Sequence, residues 1–589
     1  MKKSTSLVTR SSSSDPILSA VKAGEQASEH IDKHIIYRWT NVVQVKRHVI
    51  VWLLLAVTIL GGLFIQNRQL ALYYRQKSFI DGGSYTEGVV GDLSNMNPIF
   101  ATGLVDSSAS KLLFSGLMKY NDSNQLVGDL AQSITSDDRG VAYTVKLKPN
   151  LYWHDGKKLT SSDVVFTFKS IQHPDTRSPL NKSWQLINIA APDPDTIVFT
   201  LPVSLSSFPQ SLTTGIIPEH ILGDVQPSQL RSHPFNTRQP VGSGPFKLSN
   251  VTILSLENKE VVMEPNAGYY GGKPKLDRFV IRTYLDQDSL QVGFKAGEVQ
   301  SMAGGTFFQP PEVGKSATVT NFVPQANGVY AFMRTTQVPL NDRVLREALI
   351  SSLDRDALVK NVLKNTRMPL NGPLLQLQLP YAVDLQQLGL DPAKAEKILD
   401  DAGWRRDAAN DNMRVKDGKK LQISLVTQNT YEYSQVASEM QRQWEKHGIA
   451  LKVDLVSEQD LQQNHIAPHE YDILLYGVNL GTDPDVYAYW HSREAGLGGF
   501  NLSEYKNTAV DTSLEGGRTR SDPQQRAIKY RGFLESWRKD IPAIALYQPS
   551  FDYVQSSATD GFVPHTLVSP SDRFSDVVNW RVLERVKDR

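Results

Sequence analysis

The sequence predicts an α/β chain folded into two or more lobes behind a single membrane-spanning helix, and three observations lead there. Its 589 residues exceed the roughly 250–300 at which one hydrophobic core stops growing. An uncharged apolar run, Val49–Ile65, lies close to the N-terminus. Beyond about residue 340, segments of strand composition alternate with segments of helical apolar spacing, the pattern of an α/β lobe.

Taken in order, residues 1–48 are Lys-, Ser- and Thr-rich, with Ser11 to Ser14 in a row, which predicts a disordered or weakly helical cytoplasmic segment. Val49–Ile65 supplies about 25 Å of helix against a hydrocarbon core of about 30 Å. Lys46, Arg47 and His48 can snorkel at one end, Gln66, Asn67 and Arg68 close the other, and Tyr73 and Tyr74 fall at or beyond the interface. A cleaved signal peptide would need a basic region stretched over 48 residues, and no small-x-small site follows Ile65, so 49–65 reads as an uncleaved signal anchor. Lys33 and Arg38 before the span and Arg75 and Lys77 after it leave its orientation undecided by charge.

From about residue 81 short strand-like runs follow, AYTVKLKPN and TIVFTLP among them, broken by Asp-Gly, Pro-Asp and Gly-Ser-Gly turn signals. In LYWHDGKKLTSSDVVFTF, Asp155-Gly156 suits a tight turn, Ser161 or Ser162 can cap a helix, and Asp163 favours its positive end. Gly242-Ser243-Gly244-Pro245 lacks the spacing and the Lys-Ser or Lys-Thr of a phosphate loop, and reads as a sharp turn where the chain changes lobes. Gly271-Gly272-Lys273-Pro274 reads as a loop using glycine for backbone freedom. Later, LREALISSLDRDALVKNVL has helical spacing, KLQISLVTQ and IALKVDLVS read as strands, and ASEMQRQWEKHGI reads as a helix closed by Gly448.

Composition excludes several function classes. Lys and Arg number 63 against 62 Asp and Glu, so no global field draws nucleic acid. Cysteine is absent, which removes disulfides, thiolate metal sites, Cys nucleophiles and lipid attachment through an N-terminal Cys. His154 beside Trp153 has no second ligand at useful spacing and reads as structural, and His469-Glu470 lacks the second His of a zinc-protease helix. Ser108-x-x-Lys111 and Ser503-x-x-Lys506 match a Ser–Lys nucleophile pattern but lack its companion motifs. No catalytic residue, metal site or cofactor is expected.

Order and spacing carry a further reading. Asn95-Met96-Asn97-Pro98, FSGLMKY, GDLAQSITSDDRGVAYTVKLKPNLYWHDGKKLTSSDVVFTF, IIPEHIL, VGSGPFKL, GYYGGKPKLDRFVIR, LNDRVLREALISSLDR, DPAKAEKILDDAGW, YDILLYGVNLGTDPD and NLSEYKN follow one another from residue 95 to 507. From Glu87 to about Tyr553 the chain thereby resembles the family 5 extracellular solute-binding proteins, which include oligopeptide-, dipeptide- and nickel-binding members. The resemblance implies a two-lobed periplasmic-binding-protein-like fold of type II, behind the N-terminal transmembrane helix. Lobe Ia is expected at 81–112, 240–325 and 545–589, an extra subdomain Ib at 113–239 and lobe II at 326–544, joined by a two-strand hinge.

The resemblance also implies a binding component of an ABC importer that closes on a peptide-like small ligand and delivers it to permease and ATPase subunits, without enzymatic chemistry. A monomer is expected, with membrane contact through the helix and the large C-terminal part outside. A ligand-binding sensor, or a binder of a nickel chelate, haem or cell-wall fragment, stands as the alternative. Tyr476, Gly477, Val478, Asn479 and Leu480 match the family strand that runs beside the ligand backbone, as in strand addition. Asn95 and Asn97 fall in the first pocket loop, although Asn-x-Asn-Pro is also a turn builder. Trp184, Tyr330, Phe332 and Trp490 are aromatic pocket candidates that would serve equally well as core. Leu480 stands where peptide-binding relatives commonly carry the Asp that holds the ligand ammonium, which leaves Asp483 as the nearest substitute.

Overall fold

A computed structural model describes residues 46–73, 79–254, 258–305 and 318–583, and the chain divides into two units at Ser78 and Phe79. The expected cytoplasmic segment lies outside the described residues except for its last three. In the first unit one helix covers Lys46–Tyr73. None of its apolar stretch His48–Gln66 is buried. Thr58, the one hydroxyl in that run, bonds back to the Leu54 carbonyl at 2.7 Å and needs no outside partner. Length and composition suit a membrane crossing.

The second unit is built on two large sheets. The first has seven strands, in the order Thr318–Pro324, Ser550–Ser556, Ser301–Gly305, Ser84–Val90, Arg278–Tyr284, Lys259–Pro265 and Phe246–Ile253. Ser84–Val90 runs parallel to both its neighbours and the outer pairings are antiparallel. A four-stranded antiparallel sheet, Ala131–Ser136, Ala142–Leu147, Thr196–Thr200 and Asn188–Asp193, forms an appended subdomain. One continuous apolar core joins the two, from Tyr85 and Phe279 to Phe168, Trp184 and Phe199.

The second large sheet has six strands, in the order Met368–Pro369, Ala543–Gln548, Asn327–Met333, Ile473–Asn479, Gln422–Gln428 and Ala450–Val456. Along Asn327–Met333 the side chains divide by the strand's two-residue period. Val329, Ala331 and Met333 enter one core, and Tyr330 and Phe332 enter another. Helices cover both faces, which is why these strands read as near-continuous apolar runs.

The chain passes between the large sheets at Gln325–Ala326 and again at Pro549. Gln325 N–H donates to the Pro549 carbonyl at 2.9 Å, tying the two crossings together. The expected boundary at residues 544 and 545 falls inside the strand Ala543–Gln548, because that strand pairs with Asn327–Met333 along its length. Arg367 beside the second sheet pairs with Asp552 of the first at 3.0 Å and with Glu432 at 3.0 Å, so an ion network spans the crossing.

Three local readings need amendment. The helix Ser161–Gln172 is capped by Thr160, one residue earlier than expected, and Asp163 reaches back to the Thr160 N–H at 2.9 Å. The long helical pattern after Leu345 breaks: Arg343–Ser351 ends, and Asp354 caps a new turn by accepting from Ala357 N–H at 2.8 Å. The chain at Gly242-Ser243-Gly244 passes from the appended subdomain to the seven-stranded sheet, within one lobe. Its glycines are required by close approach, since a Cβ on Gly242 would stand 1.8 Å from the Leu113 carbonyl oxygen.

Candidate functional site

The strand Ile473–Asn479 is flanked unequally. On one edge it pairs antiparallel with Asn327–Met333 over all seven residues. On the other, only Ile473, Leu474 and Leu475 pair, in parallel, with Leu425, Val426 and Thr427. From Tyr476 onward that edge has no strand neighbour. Gly477 and the Tyr476 side chain are half-buried, Val478 is buried, and Asn479 is exposed. The Tyr476 hydroxyl receives the Gln462 amide at 3.0 Å.

Leu480 ends the strand as an apolar member of the core below it. Its N–H donates to the Ala326 carbonyl at 2.9 Å and its carbonyl accepts from Gln378 at 2.7 Å, so hinge and site share one backbone network. Both carboxylates of the following turn are held by arginines. Arg526 forks onto Asp483 at 2.8 and 2.5 Å, and Arg518 meets Asp485 at 3.1 Å. Each paired carboxylate already faces a guanidinium, which offsets its charge and weakens its pull on a ligand cation.

This turn faces the appended subdomain of the first lobe across a cavity of about 300 Å³, walled by Tyr120, Ser207, Gln210, Asn479, Leu480 and Asp485. Five hydrogen bonds cross between the lobes around it. Ser204 Oγ donates to the Thr519 carbonyl at 2.9 Å, and Ser206 gives both its N–H (3.0 Å) and its hydroxyl (2.9 Å) to the Arg518 carbonyl. Ser207 Oγ reaches Asp485 at 3.2 Å, and Thr482 Oγ1 reaches the Tyr120 hydroxyl at 3.2 Å. Burial pushes the Tyr120 phenol up to about 12, so it stays neutral.

The other candidates lie apart from this cavity. Asn95 and Asn97 build their own loop: Asn95 Oδ1 accepts from Asn97 N–H at 3.0 Å, and the fully buried Asn97 amide donates to Asn236 at 3.0 Å. Trp184, Tyr330, Phe332 and Trp490 are all core, with Trp184 stacked on Phe168 at 4.0 Å and Trp490 packed 5.7 Å from Phe332. Ser108 accepts from Arg573 at 2.8 Å while Lys111 pairs with Asp572, and Ser503 donates to the Pro542 carbonyl at 2.8 Å, so neither Ser–Lys motif forms a catalytic pair. His154 accepts from Gly242 N–H at 3.1 Å and donates to the Gly244 carbonyl at 3.1 Å. Burial lowers its pKa to about 4, so it is a neutral structural clamp. Among the described residues no group of three or more His, Asp or Glu stands ready to hold a metal ion.

Sequence reading had missed Tyr120, Ser207, Gln210 and the arginines at 518 and 526. A signal existed for the serines: the run Ser204-Leu205-Ser206-Ser207 is short, polar and set between two prolines.

Comparison with known proteins agrees with this architecture. Residues 125–498 match the family model described as bacterial extracellular solute-binding proteins, family 5 Middle. The oligopeptide-binding protein AppA of Bacillus subtilis is 28% identical over 497 residues, covering 82% of this chain and 89% of AppA. The structure of that protein with a nonapeptide superposes with a TM-score of 0.68, covering 86% of this chain and all of AppA. The ABC transporter substrate-binding protein CtaP from Listeria monocytogenes, 25% identical, reaches a TM-score of 0.73 over 86% of this chain and all of CtaP. NikZ from Campylobacter jejuni, solved with Ni(L-His), shares the fold at a TM-score of 0.69 and 23% identity, over 85% of this chain and 99% of NikZ. With the family model spanning well over half the sequence, and with two lobes meeting over a polar cleft, the chain belongs to family 5 of the bacterial extracellular solute-binding proteins.

Proposed function

We propose that this protein captures a peptide-like ligand between its lobes and presents it to the permease and ATPase subunits of an ABC importer, as a monomer held at the membrane by His48–Gln66. The carrying observation is the edge of Ile473–Asn479, which loses its strand neighbour after Leu475 and runs directly into the interlobe cavity. An extended main chain is the ligand form that such an edge fits, because it offers amide and carbonyl groups at strand spacing. Hydroxyls and amides of Tyr120, Ser207, Gln210 and Asn479 give the cavity a polar wall that suits varied, water-bridged side chains. Binding and release need no covalent step. The peptide named in the AppA complex and the oligopeptide in that relative's name support the same ligand class.

Charge refines this reading. Leu480 is apolar, and Asp483 and Asp485 are each committed to an arginine. The ligand's amino end is therefore not the anchor. A nonapeptide pool randomised at every position, offered to residues 79–589, binds with nearly the same affinity whether or not the peptides are N-acetylated. A carboxylate–ammonium contact is worth about 1.5–3 kcal/mol, so a ten-fold or larger loss on acetylation would overturn this assignment.

A further inference from the structure

The unpaired edge of Ile473–Asn479 is not bare. The Gly477 backbone lies against the hydroxyl of Tyr433, which the helix Tyr431–Glu445 carries in its first turn. A Cβ on residue 477 would stand 2.8 Å from that hydroxyl, so glycine is what lets the ring come so close. Two residues along, on the same side of the strand by its two-residue period, the Asn479 carbonyl accepts from the Tyr489 hydroxyl at 2.6 Å. Tyr489 comes from the short helix Tyr487–Trp490. Two tyrosines from two separate helices thus meet one donor and one acceptor of the same strand edge.

The polarity of these contacts decides what remains. The Tyr433 hydroxyl stands beside Gly477, whose N–H is an edge donor, and its own O–H proton stays free. Tyr489 spends its proton on the Asn479 carbonyl and keeps its oxygen lone pairs. Burial raises both phenols, Tyr489 to about 12, so neither ionises near neutral pH. Beyond the edge, the donor of Gly477 reappears as a donor and the acceptor of Asn479 as an acceptor, each displaced outward by one hydroxyl. Relays of this kind strengthen each other, since each bond polarises the next.

We propose that Tyr433 and Tyr489 are ligand-positioning residues that extend the hydrogen-bonding pattern of the strand, Tyr433 donating to a carbonyl and Tyr489 accepting from an N–H of the ligand's main chain. The inference rests on the peptide-like reading above and sharpens it: an amide unit of the ligand is read through two hydroxyls, not by direct strand pairing to Gly477 and Asn479.

The test measures binding of the random nonapeptide pool, by calorimetry, to the wild-type protein and to Tyr433→Phe and Tyr489→Phe, with thermal unfolding as a check that both variants fold. Each substitution weakens binding by about two- to ten-fold, the loss of one neutral hydrogen bond. One retained peptide, N-methylated at each position in turn, separates ligand contact from general damage. One methylation weakens binding to the wild type and costs nothing further in Tyr489→Phe. Unchanged affinity in both variants overturns the inference and leaves the functional reading standing. Tighter binding also overturns it, because it would mean that the ligand displaces the hydroxyls and pairs with the strand itself. A pool that fails to bind the wild type removes the peptide-like reading and this inference with it.

Discussion

Arg573 and Glu87 form the most deeply buried ion pair described in the protein, both side chains without solvent exposure and 2.5 Å apart. Glu87 also accepts from Tyr553 at 2.8 Å, and the Arg573 Nη2 that meets Glu87 donates as well to Ser108 at 2.8 Å. One charge network therefore binds the N-terminal strand, the first helix of the lobe and the C-terminal segment. Removing one partner strands the other in a low dielectric, so Arg573→Met is expected to cost about 3–5 kcal/mol, read from urea unfolding. Coupling Arg573→Met with Glu87→Gln recovers part of that loss, since no buried charge is then left alone. His154 gives a pH signature of its own. Its folded pKa is about 4, against about 6.5 for an unfolded histidine. Between these values the unfolded chain binds a proton that the fold refuses, so stability falls as pH drops from about 6.5 to about 4 and then levels. The loss attributable to this residue is at most about 3 kcal/mol. His154→Gln flattens that part of the profile, and an unchanged slope in the variant would exclude His154 as its source.

Between elements, the interlobe clasp is concentrated where the segment Ser204–Ser207 meets the C-terminal end of the helix Thr508–Arg518. The last carbonyls of a helix have no partner within it. Here Arg518 and Thr519 carbonyls are satisfied by serines of the opposite lobe. Ser204→Ala with Ser206→Ala removes the two side-chain bonds and leaves only the Ser206 N–H on the Arg518 carbonyl, at little cost to either lobe alone. The expected result is a more open average shape and affinity for the nonapeptide pool lower by about five-fold to a hundred-fold, for two neutral bonds lost only from the closed form. Unaltered affinity and scattering would mean that the clasp carries no closure energy. The same contacts explain what was legible in the sequence. Gln422–Gln428 and Ala450–Val456 could be read as strands because a strand's composition and its flanking turns are local. Capping by Thr160 was missed by one residue because several hydroxyls in a row each satisfy the local rule. Ser207 with Asp485 and Asp483 with Arg526 join residues 278 and 43 apart in the chain. No local pattern announces such pairs. The strand proposed to meet the ligand was singled out through family resemblance alone, whereas the hydroxyls beside it, Tyr433 and Tyr489, become visible only once two helices converge on it.

For the whole molecule, two chain crossings at Gln325–Ala326 and Pro549 are the covalent links between the lobes, and the Arg367–Asp552 pair spans them. Across the cleft itself the described contacts are mainly the polar ones of the serine segment and Thr482, with Val568 packed against the second-lobe core. Each lobe keeps its own buried apolar clusters if the cleft opens, so the low-energy motion is rotation about the crossings rather than unfolding of either lobe. Leu480 and Gly481 both donate to the Ala326 carbonyl, at 2.9 and 3.0 Å, so movement at the hinge is felt directly by the strand Ile473–Asn479, the proposed ligand strand. A ligand that touches both lobes binds the closed form better than the open one and shifts the balance by that difference alone. Small-angle scattering of residues 79–589 should therefore show a smaller radius of gyration when the nonapeptide pool is added. The unfolding free energy should rise by about 2.7 kcal/mol at a hundred times the dissociation constant. The two measurements separate closure from binding. Stabilisation without contraction would mean that the ligand engages a shape already closed, and the serine clasp would then be the source of that closure. Contraction lost in the Ser204→Ala, Ser206→Ala variant while stabilisation persists would assign the closing force to the clasp and the affinity to the strand edge.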